Sequence, residues 1–262
     1  MFCGRRKRRY RRADPGRLTG MTTSALSFGS AARLYDSIRP SYPARAVTWA
    51  LGAEPLRVLD LGAGTGLLTG TLRAAGHRVV AVEPDPQMRA VAAERHPGTQ
   101  VLAGSAEAVP LPDGSVDAVV VGQAYHWFTP QDALPEIHRV LREDGVLAAL
   151  WNVRDERAPW VAALSAVVGS ESYGLEDAWP YGPVAPWFTT PELGLTEHTV
   201  TVPTGRLTDL VRSRSSYLTA TPTEQSRLDR QITDLVATDP ALAGHDHVDM
   251  PYRTCVYRMR RV

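Results

Sequence analysis

Three glycines alternate with other residues directly after a short apolar run, in the sequence VLDLGAGTG at residues 58–66. Glycine tolerates backbone angles closed to other residues, and its lack of a side chain lets a ligand approach the main chain closely. An acidic residue, Glu83, ends a second apolar run 17 residues beyond Gly66. A carboxylate in that place can accept hydrogen bonds from both hydroxyls of a ribose. Together, the loop and the acid predict a nucleoside-binding site.

The spacing of Gly62, Gly64 and Gly66 discriminates between two nucleoside cofactors. Dinucleotide-binding loops carry G-x-G-x-x-G, whereas this chain has G-x-G-x-G, with Leu67 where that third glycine belongs. A dinucleotide also places its pyrophosphate at the helix N-terminus. S-adenosylmethionine carries no phosphate, and the observed spacing favours it. A tight strand-to-helix turn that binds nothing is the remaining interpretation of the glycines.

The glycine loop lies in a segment where apolar runs and helical patterns alternate. Strands are predicted at residues 56–61, 78–83, 101–103, 116–121 and 146–151. Helices are predicted at residues 67–75 and 86–96, and after Thr129-Pro130, a typical helix start. Strands separated by such helices form right-handed βαβ units, so we predict an α/β fold with a doubly wound, mostly parallel sheet. Ligands bind such sheets at the carboxyl ends of the strands.

Beyond Asn152 the pattern is less regular. Helices are predicted at residues 158–168, 207–217 and 223–237, and strands at 196–202 and 253–260 bring the sheet to seven strands. Residues 170–194 are rich in glycine, proline and aromatic residues and are predicted to form a substrate-side insert. The histidines of GHDHVD at residues 244–249 have no cysteine beside them, so no metal site is predicted there.

Several motifs, in order, resemble the class I S-adenosylmethionine-dependent methyltransferases, and among them the small-molecule branch with the trans-aconitate and biotin-pathway enzymes. The motifs are VLDLGAGTG (58–66), VVAVEPDPQM (79–88), GSAEAVPLP with DGSVDAVV (104–120), AYHWF (124–128), HRVLREDGVLAAL (138–150) and, upstream, YDSIRPSYP (35–43). The resemblance implies a Rossmann-like sheet with an N-terminal lid and an acceptor-side insert, S-adenosylmethionine as cofactor, and a small-molecule methyl acceptor. Ser105 departs from the pattern, because relatives often carry an aspartate there, which would bind the adenine amino group more strongly.

The resemblance also implies which residues bind the cofactor. Asp60 would hold the methionine amino end unless it only caps the turn, and Glu83 would hold the ribose. Met88 would pack on the adenine or within its helix, and Arg39 would bind the cofactor carboxylate or face solvent. The cofactor-binding candidates are Tyr35, Arg39, Asp60, Gly62, Gly64, Gly66, Glu83, Met88, Ser105, Ala106, Glu107 and Gln123.

A single residue is the catalytic candidate on the acceptor side. His126 follows the fourth strand, where it would serve as a general base, as a polar group that orients the acceptor, or as part of the pocket wall. A carboxylate acceptor needs no base, whereas a hydroxyl or an amine loses a proton, so the methylated atom stays open. The acceptor-binding candidates are Tyr42, Trp127, Trp151 and Asn152.

The formal net charge of +1 hides an uneven distribution. The first twenty residues contain eight basic residues and one acidic residue, whereas the remaining residues contain 21 basic and 27 acidic ones. We predict that residues 1–27 are a disordered basic extension, and that translation begins near Met21. Residues 28–262 are predicted to form the methyltransferase domain, with its cofactor core at 55–152 and lid and substrate elements at 28–50 and 155–195. Its acidic balance gives no reason to expect a nucleic-acid substrate.

Composition excludes further classes of protein. No apolar run approaches the roughly 20 residues of a membrane-spanning helix. With only Cys3 and Cys255, the chain cannot form a disulfide framework, which indicates a reducing, cytoplasmic location. Lys7 is the single lysine, so a lysine base is excluded from the predicted domain. The oligomeric state is left open.

Two other functions compete with methyl transfer. An NAD(P)-dependent oxidoreductase would share the strand, the loop and the acidic residue, although the glycine spacing argues against it. A protein without catalysis would bind the nucleoside alone, or would bind nucleic acid through residues 1–20 with strong salt dependence.

Overall fold

The carboxyl end of β1 and its glycine loop lie at the centre of a seven-stranded sheet in the computed structural model, which describes residues 39–170 and 174–262. The extension predicted at 1–27, the start of the lid and Tyr35 lie outside the described residues. The strands are β1 (Arg57–Leu61), β2 (Arg78–Val82), β3 (Gln100–Leu102), β4 (Val116–Gly122), β5 (Leu141–Arg154), β6 (Glu192–Pro203) and β7 (His247–Arg260). The helices are α1 (Ala44–Leu51), α2 (Leu67–Ala74), α3 (Pro86–Arg95), α4 (Pro130–Val140), α5 (Pro159–Val168), α6 (Leu207–Arg212), α7 (Ser215–Leu218) and α8 (Pro222–Thr238).

The strand order is β3-β2-β1-β4-β5-β7-β6. The direction in which successive strands are added to the sheet therefore reverses at its middle. From β1 the chain proceeds outward to β2 and β3, then returns to add β4 and β5 on the other side, all in parallel. The last strand, β7, runs antiparallel between β5 and β6. A mostly parallel, seven-stranded sheet is therefore confirmed, and its switch point lies between β1 and β4, where open α/β sheets bind ligands.

Both faces of the sheet are covered, as expected for buried parallel strands. On one face, Val58 of β1 and Val120 of β4 pack with buried residues of α1 and α2. On the other face, Leu59 packs with buried residues of α4 and with the segment that precedes β6. A third cluster joins α5, α6 and α8 to the outer halves of β6 and β7. The described part of the chain contains no helix long and apolar enough to cross a membrane.

Three predicted elements differ in the structure. β5 and β7 each have 14 residues, far more than the pattern predicts, because β7 pairs along its length with β6 and for nine residues with β5. The helix predicted at 207–217 is interrupted between α6 and α7. Ser213 lies at this break and donates its hydroxyl to the Leu210 carbonyl at 2.8 Å, a local bond that competes with helix propagation.

Candidate functional site

The glycine loop turns sharply between β1 and α2. Gly62, Gly64 and Gly66 have φ angles of +71°, +57° and +84°, the left-handed region that favours glycine. The main-chain nitrogen of Gly62 donates to the carbonyl of Val82 at 2.8 Å, which ties the loop to the end of β2. A Cβ atom at Gly62 would lie 2.7 Å from Cβ of Ala124, beyond β4. The loop therefore contacts the carboxyl ends of both neighbouring strands.

Glu83 holds the middle of this loop. Its Oε2 accepts a hydrogen bond from the main-chain nitrogen of Gly64 at 2.9 Å, and its Oε1 accepts one from Asp85 at 2.9 Å. Burial raises the pKa of Glu83, and these two backbone hydrogen bonds oppose the rise. A carboxylate oxygen has two lone pairs, so each oxygen can still accept a hydroxyl of a ligand.

Asp60 lies fully buried at the end of β1, beneath the loop. Its Oδ2 accepts a hydrogen bond of 2.6 Å from the hydroxyl of Thr69, while its Oδ1 has no partner among the described residues. Burial, with a smaller contribution from the charge of Glu83, raises the pKa of Asp60 to about 7. A buried carboxylate oxygen without a partner is costly, and a cationic ligand group would satisfy it.

The residues expected near an adenine lie where β2 and β3 end side by side. The Glu83 nitrogen bonds to the Leu102 carbonyl at 3.1 Å, so the segment of Ser105 and Ala106 begins next to Glu83. Met88 and Ala106 are buried, with 5% and 3% of their surface exposed. Glu107 accepts a hydrogen bond from the main-chain N–H of Thr129 at 2.9 Å. The hydroxyl of Thr129 does not cap α4, although threonine at the start of a helix typically does so.

Asn152 connects the N-terminal segment to the sheet. Its Nδ2 donates to the carbonyls of Ser41 at 3.1 Å and Pro40 at 3.4 Å, and its Oδ1 accepts the Thr254 hydroxyl at 2.7 Å. Its main-chain carbonyl accepts Nε2 of Gln123 at 3.0 Å. Asn152, proposed from the sequence as an acceptor contact, therefore uses its side chain to hold the stretch that follows Arg39.

Two further candidates lie at the same junction. Gln123 has a φ angle of +56°, a strained conformation for a residue other than glycine. Tyr42 is buried, and its hydroxyl would lie 2.7 Å from a Cβ atom at Gly122, so this glycine makes room for the ring. The end of β4 and the start of the described chain are thus packed directly against each other.

An aromatic cluster covers the carboxyl ends of β4 and β5. The ring of Tyr125 lies 5.5 Å from that of Phe128 and 4.8 Å from that of Trp179, and Trp151 stacks on Tyr181 at 5.3 Å. Phe128 also lies 3.7 Å from the Cβ position of Gly62, so the cluster begins at the glycine loop.

Two polar groups are buried in this aromatic cluster. The Tyr125 hydroxyl and the Trp151 Nε1 have no hydrogen-bond partner within the described chain, although these residues are only 2% and 3% exposed. Burial raises the pKa of Tyr125, so its hydroxyl stays protonated and can donate. The cluster therefore contains two buried donors that no described residue satisfies.

His126 and Trp127 lie in a short 3₁₀ turn, Tyr125–Trp127, that follows β4. Their rings are 4.7 Å apart. Desolvation lowers the pKa of His126 even though the residue as a whole is exposed, so its imidazole is neutral at pH 7. A neutral imidazole can accept a proton or orient an acceptor.

The structure adds a site residue that the sequence analysis did not single out. Nε2 of His96 lies 2.8 Å from the main-chain oxygen of Gly66, although 30 residues separate them. Only the fold brings the end of α3 beside the loop, and no spacing rule in the sequence links the two positions.

The described residues contain no group of three or more side chains suited to a metal ion.

Comparisons with known proteins agree on one family. Residues 59–149 match the family model described as a methyltransferase domain. An uncharacterized methyltransferase of Mycobacterium tuberculosis is 44% identical over 234 residues, which cover 89% of this chain and 95% of that protein. A malonyl-[acyl-carrier protein] O-methyltransferase of Pectobacterium atrosepticum is 34% identical over 131 residues, 47% of this chain and 51% of that enzyme.

The fold has a counterpart among solved structures. A structure described as a type II methyltransferase from Anaeromyxobacter dehalogenans superposes with a TM-score of 0.63 at 24% identity. The superposition covers 86% of this chain and 98% of that one. The similarity in fold therefore extends over most of the chain.

Proposed function

Because the chain belongs to the class I S-adenosylmethionine-dependent methyltransferases, we propose that it methylates a small-molecule acceptor within the small-molecule branch of that family. When bound, S-adenosylmethionine supplies an electrophilic methyl group on a positively charged sulfur and leaves as S-adenosylhomocysteine. The chain's own residues bind and orient this cofactor and the acceptor. We place the reaction in a reducing cytosol, which agrees with the free, buried Cys255.

The observation that carries the proposal is that two acidic residues, Asp60 and Glu83, lie beside the glycine loop, and each can still accept a hydrogen bond from a ligand. The unpartnered Oδ1 of Asp60 suits the ammonium group of the cofactor's methionine end. Glu83 suits the ribose hydroxyls, since both of its oxygens retain a lone pair. The residues present therefore fit this cofactor. The backbone of Gly62, Gly64 and Gly66 would line its methionine end.

The remaining cofactor contacts follow from the positions of their elements. Arg39 would bind the cofactor carboxylate as a bidentate partner, held in place by the Asn152 bonds to the two residues after it. Gln123, which follows β4 directly, would be a further cofactor contact. On the far side, Met88 and the segment Ser105, Ala106 and Glu107 would enclose the adenine. Tyr35, in the predicted lid, would add a hydroxyl or a stacking contact.

A small, largely apolar acceptor suits the aromatic cluster. Phe128 links the cluster to the glycine loop, so an acceptor bound there would lie next to the cofactor's methionine end. The Tyr125 hydroxyl and the Trp151 Nε1 would donate to one of its oxygens. Trp127 would face the positive sulfur, which aromatic rings attract.

His126 would act on the acceptor rather than on the cofactor. Being neutral at pH 7, it can take the proton that a hydroxyl or amine acceptor loses, or it can accept a hydrogen bond that orients the acceptor. The Pectobacterium relative, by its name, methylates oxygen of a malonyl group, and a carboxylate acceptor of that kind would need no base. That similarity covers about half of each chain, so several acceptor atoms remain within the proposal.

Calorimetric titration with S-adenosylhomocysteine and with NAD tests the cofactor. We expect binding of S-adenosylhomocysteine alone, and binding of NAD alone would overturn the proposal in favour of an oxidoreductase. The Glu94→Ala variant is a matched control for Glu83→Ala, because Glu94 is an exposed acid on α3. It should bind as the wild type does.

A transfer assay tests the acceptor. Bacterial extract is separated by size, and each fraction is incubated with the protein and methyl-labelled S-adenosylmethionine. We expect label in the small-metabolite fraction. Label in nucleic acid or protein would contradict the small-molecule acceptor, and cofactor binding without any labelled product would support the non-catalytic alternative.

A further inference from the structure

We propose that His96 is a positioning residue that fixes the last glycine of the cofactor loop. The proposal rests on the function proposed above, because the loop is the one that would bind S-adenosylmethionine. It concerns a residue on the far side of the loop, beyond the glycine-rich motif and the acidic residue.

The hydrogen bond from His96 has a defined direction. Nε2 of the ring lies 2.8 Å from the main-chain oxygen of Gly66. A carbonyl oxygen can only accept, so Nε2 carries the hydrogen in the tautomer that makes this bond. The ring is 7% exposed, and its main chain is itself held, since its nitrogen donates to Ala92 and its oxygen accepts from Thr99, both at 3.0 Å.

The Gly66 carbonyl is held from two directions. It also accepts the main-chain N–H of Gly70 at 3.0 Å, the first hydrogen bond of α2. The Gly66 nitrogen donates to Ala63 at 2.9 Å within the loop. His96 therefore adds a side-chain bond at the junction between the loop and α2, and it comes from a different βα unit.

Glu83 holds the middle of the loop and His96 holds its end, and the two residues have opposite hydrogen-bonding roles. Glu83 accepts the N–H of Gly64, and His96 donates to the carbonyl of Gly66. Both residues belong to the unit of β2 and α3. A loop fixed at an N–H and at a C=O two residues apart keeps its peptide planes in one orientation, which a ligand approaching the main chain requires.

The ring also explains glycine at two positions. A Cβ atom at Gly66 would lie 2.7 Å from Cδ2 of His96, and one at Gly70 would lie 3.1 Å from its Cε1. Gly70 lies inside α2, where glycine is unfavourable relative to alanine. The imidazole and the two glycines therefore form one packed unit. A larger side chain at either glycine would collide with the imidazole in its present position.

A matched pair of variants separates the hydrogen bond from the packing. His96→Gln keeps an N–H donor at similar reach, whereas His96→Met fills similar space without a donor. We expect the dissociation constant for S-adenosylhomocysteine, measured by calorimetry, to rise about tenfold in His96→Met and to stay within about threefold of wild type in His96→Gln. Thermal denaturation without ligand, run beside it, shows whether either variant is simply unfolded.

Gly70→Ala tests the packed unit even where a His96 variant is unstable. In the wild-type background the new Cβ would lie 3.1 Å from Cε1 of His96, so the ring must shift slightly from Gly66, and S-adenosylhomocysteine binding should weaken. In a His96→Ala background the space is free, so the same change should cost less, which makes the two effects non-additive.

The results of these experiments distinguish failure of the positioning role from failure of the proposed function. Equal affinity of His96→Met and the wild type, or strictly additive effects of Gly70→Ala and His96→Ala, would overturn the positioning role while the proposed function stands. A wild-type protein that binds no S-adenosylhomocysteine would contradict the proposed function, and the positioning role with it.

Discussion

The hydroxyl of Thr254 donates a hydrogen bond of 2.7 Å to Oδ1 of Asn152, and the two residues are 102 positions apart in the chain. They face each other across the pairing of β5 with β7. This bond orients the Asn152 amide so that its Nδ2 points at the carbonyls of Pro40 and Ser41. A residue of the last strand thus sets where the chain enters the candidate site.

Replacing Thr254 by valine should weaken this junction at constant side-chain volume. The Asn152 oxygen would lose its donor while buried, which costs about 1–3 kcal/mol. Urea denaturation should show a lower midpoint with an unchanged m-value. Thr254→Ser keeps the hydroxyl and should lie closer to wild type; an equally stable Thr254→Val would show that the bond contributes little.

Glu83→Ala should weaken cofactor binding. The change removes the proposed ribose contact and also the acceptor for the N–H groups of Gly64 and Asp85. A lost charged hydrogen bond of about 1–3 kcal/mol corresponds to a rise of about 5- to 150-fold in the dissociation constant. Calorimetry with S-adenosylhomocysteine measures it, and unchanged affinity would remove Glu83 from the ribose site.

Asp60 should make cofactor binding depend on pH. Its pKa is raised to about 7 by burial, and a ligand ammonium group at Oδ1 would favour the ionised form. Affinity should therefore fall by up to about tenfold per unit as the pH decreases below about 7.

Asp60→Asn supplies the control for that profile, because an amide does not titrate in this range. We expect its affinity for S-adenosylhomocysteine to be lower at pH 8 and nearly independent of pH. A wild-type profile as flat as that of the variant would place the ammonium group elsewhere.

His126→Ala should lower turnover more than cofactor affinity, because the residue is assigned to the acceptor. Loss of a general base reduces the rate by about 10²- to 10⁴-fold, whereas loss of an orienting contact reduces it less. Single-turnover rates with an acceptor from the extract assay, compared with affinity for S-adenosylhomocysteine, make the distinction. Wild-type rates would leave His126 as pocket wall.

Since its pKa is lowered from 6.5 to about 4, His126 should not produce a step in the rate between about pH 5.5 and 7.5, where an ordinary imidazole titrates. The imidazole of His126 stays neutral throughout that range. A rate that rises across that range in the wild type but not in His126→Ala would contradict the lowered pKa.

Local patterns in the sequence identify the cofactor half of the fold. β1, β2 and α2 begin and end within about two residues of their predicted bounds, because each is delimited by glycine, proline or a change of hydrophobic period. Gly62, Gly64 and Gly66 have positive φ angles, and the residue type alone indicates where such angles are tolerated. Glu83 could be found as well, because its position depends only on where β2 ends.

The acceptor side could not be derived in this way. Asn152 is polar at the end of a strand, which fits a pocket residue equally well, and only the approach of Thr254 and Ser41 shows where its amide is used. Likewise, β5 and β7 extend to 14 residues because each has a partner strand, which no local pattern encodes.

By itself, then, the sequence determined the class of the fold, the position of the glycine loop and the kind of cofactor that suits it. These depend on the torsional freedom of glycine and on the hydrophobic period, which act within a few residues. Only the tertiary structure decided that His96 lies against Gly66 and that Asn152 holds the N-terminal segment. Such contacts join residues 30 and 111 positions apart, and they exist only once the sheet has brought its strand ends to one edge.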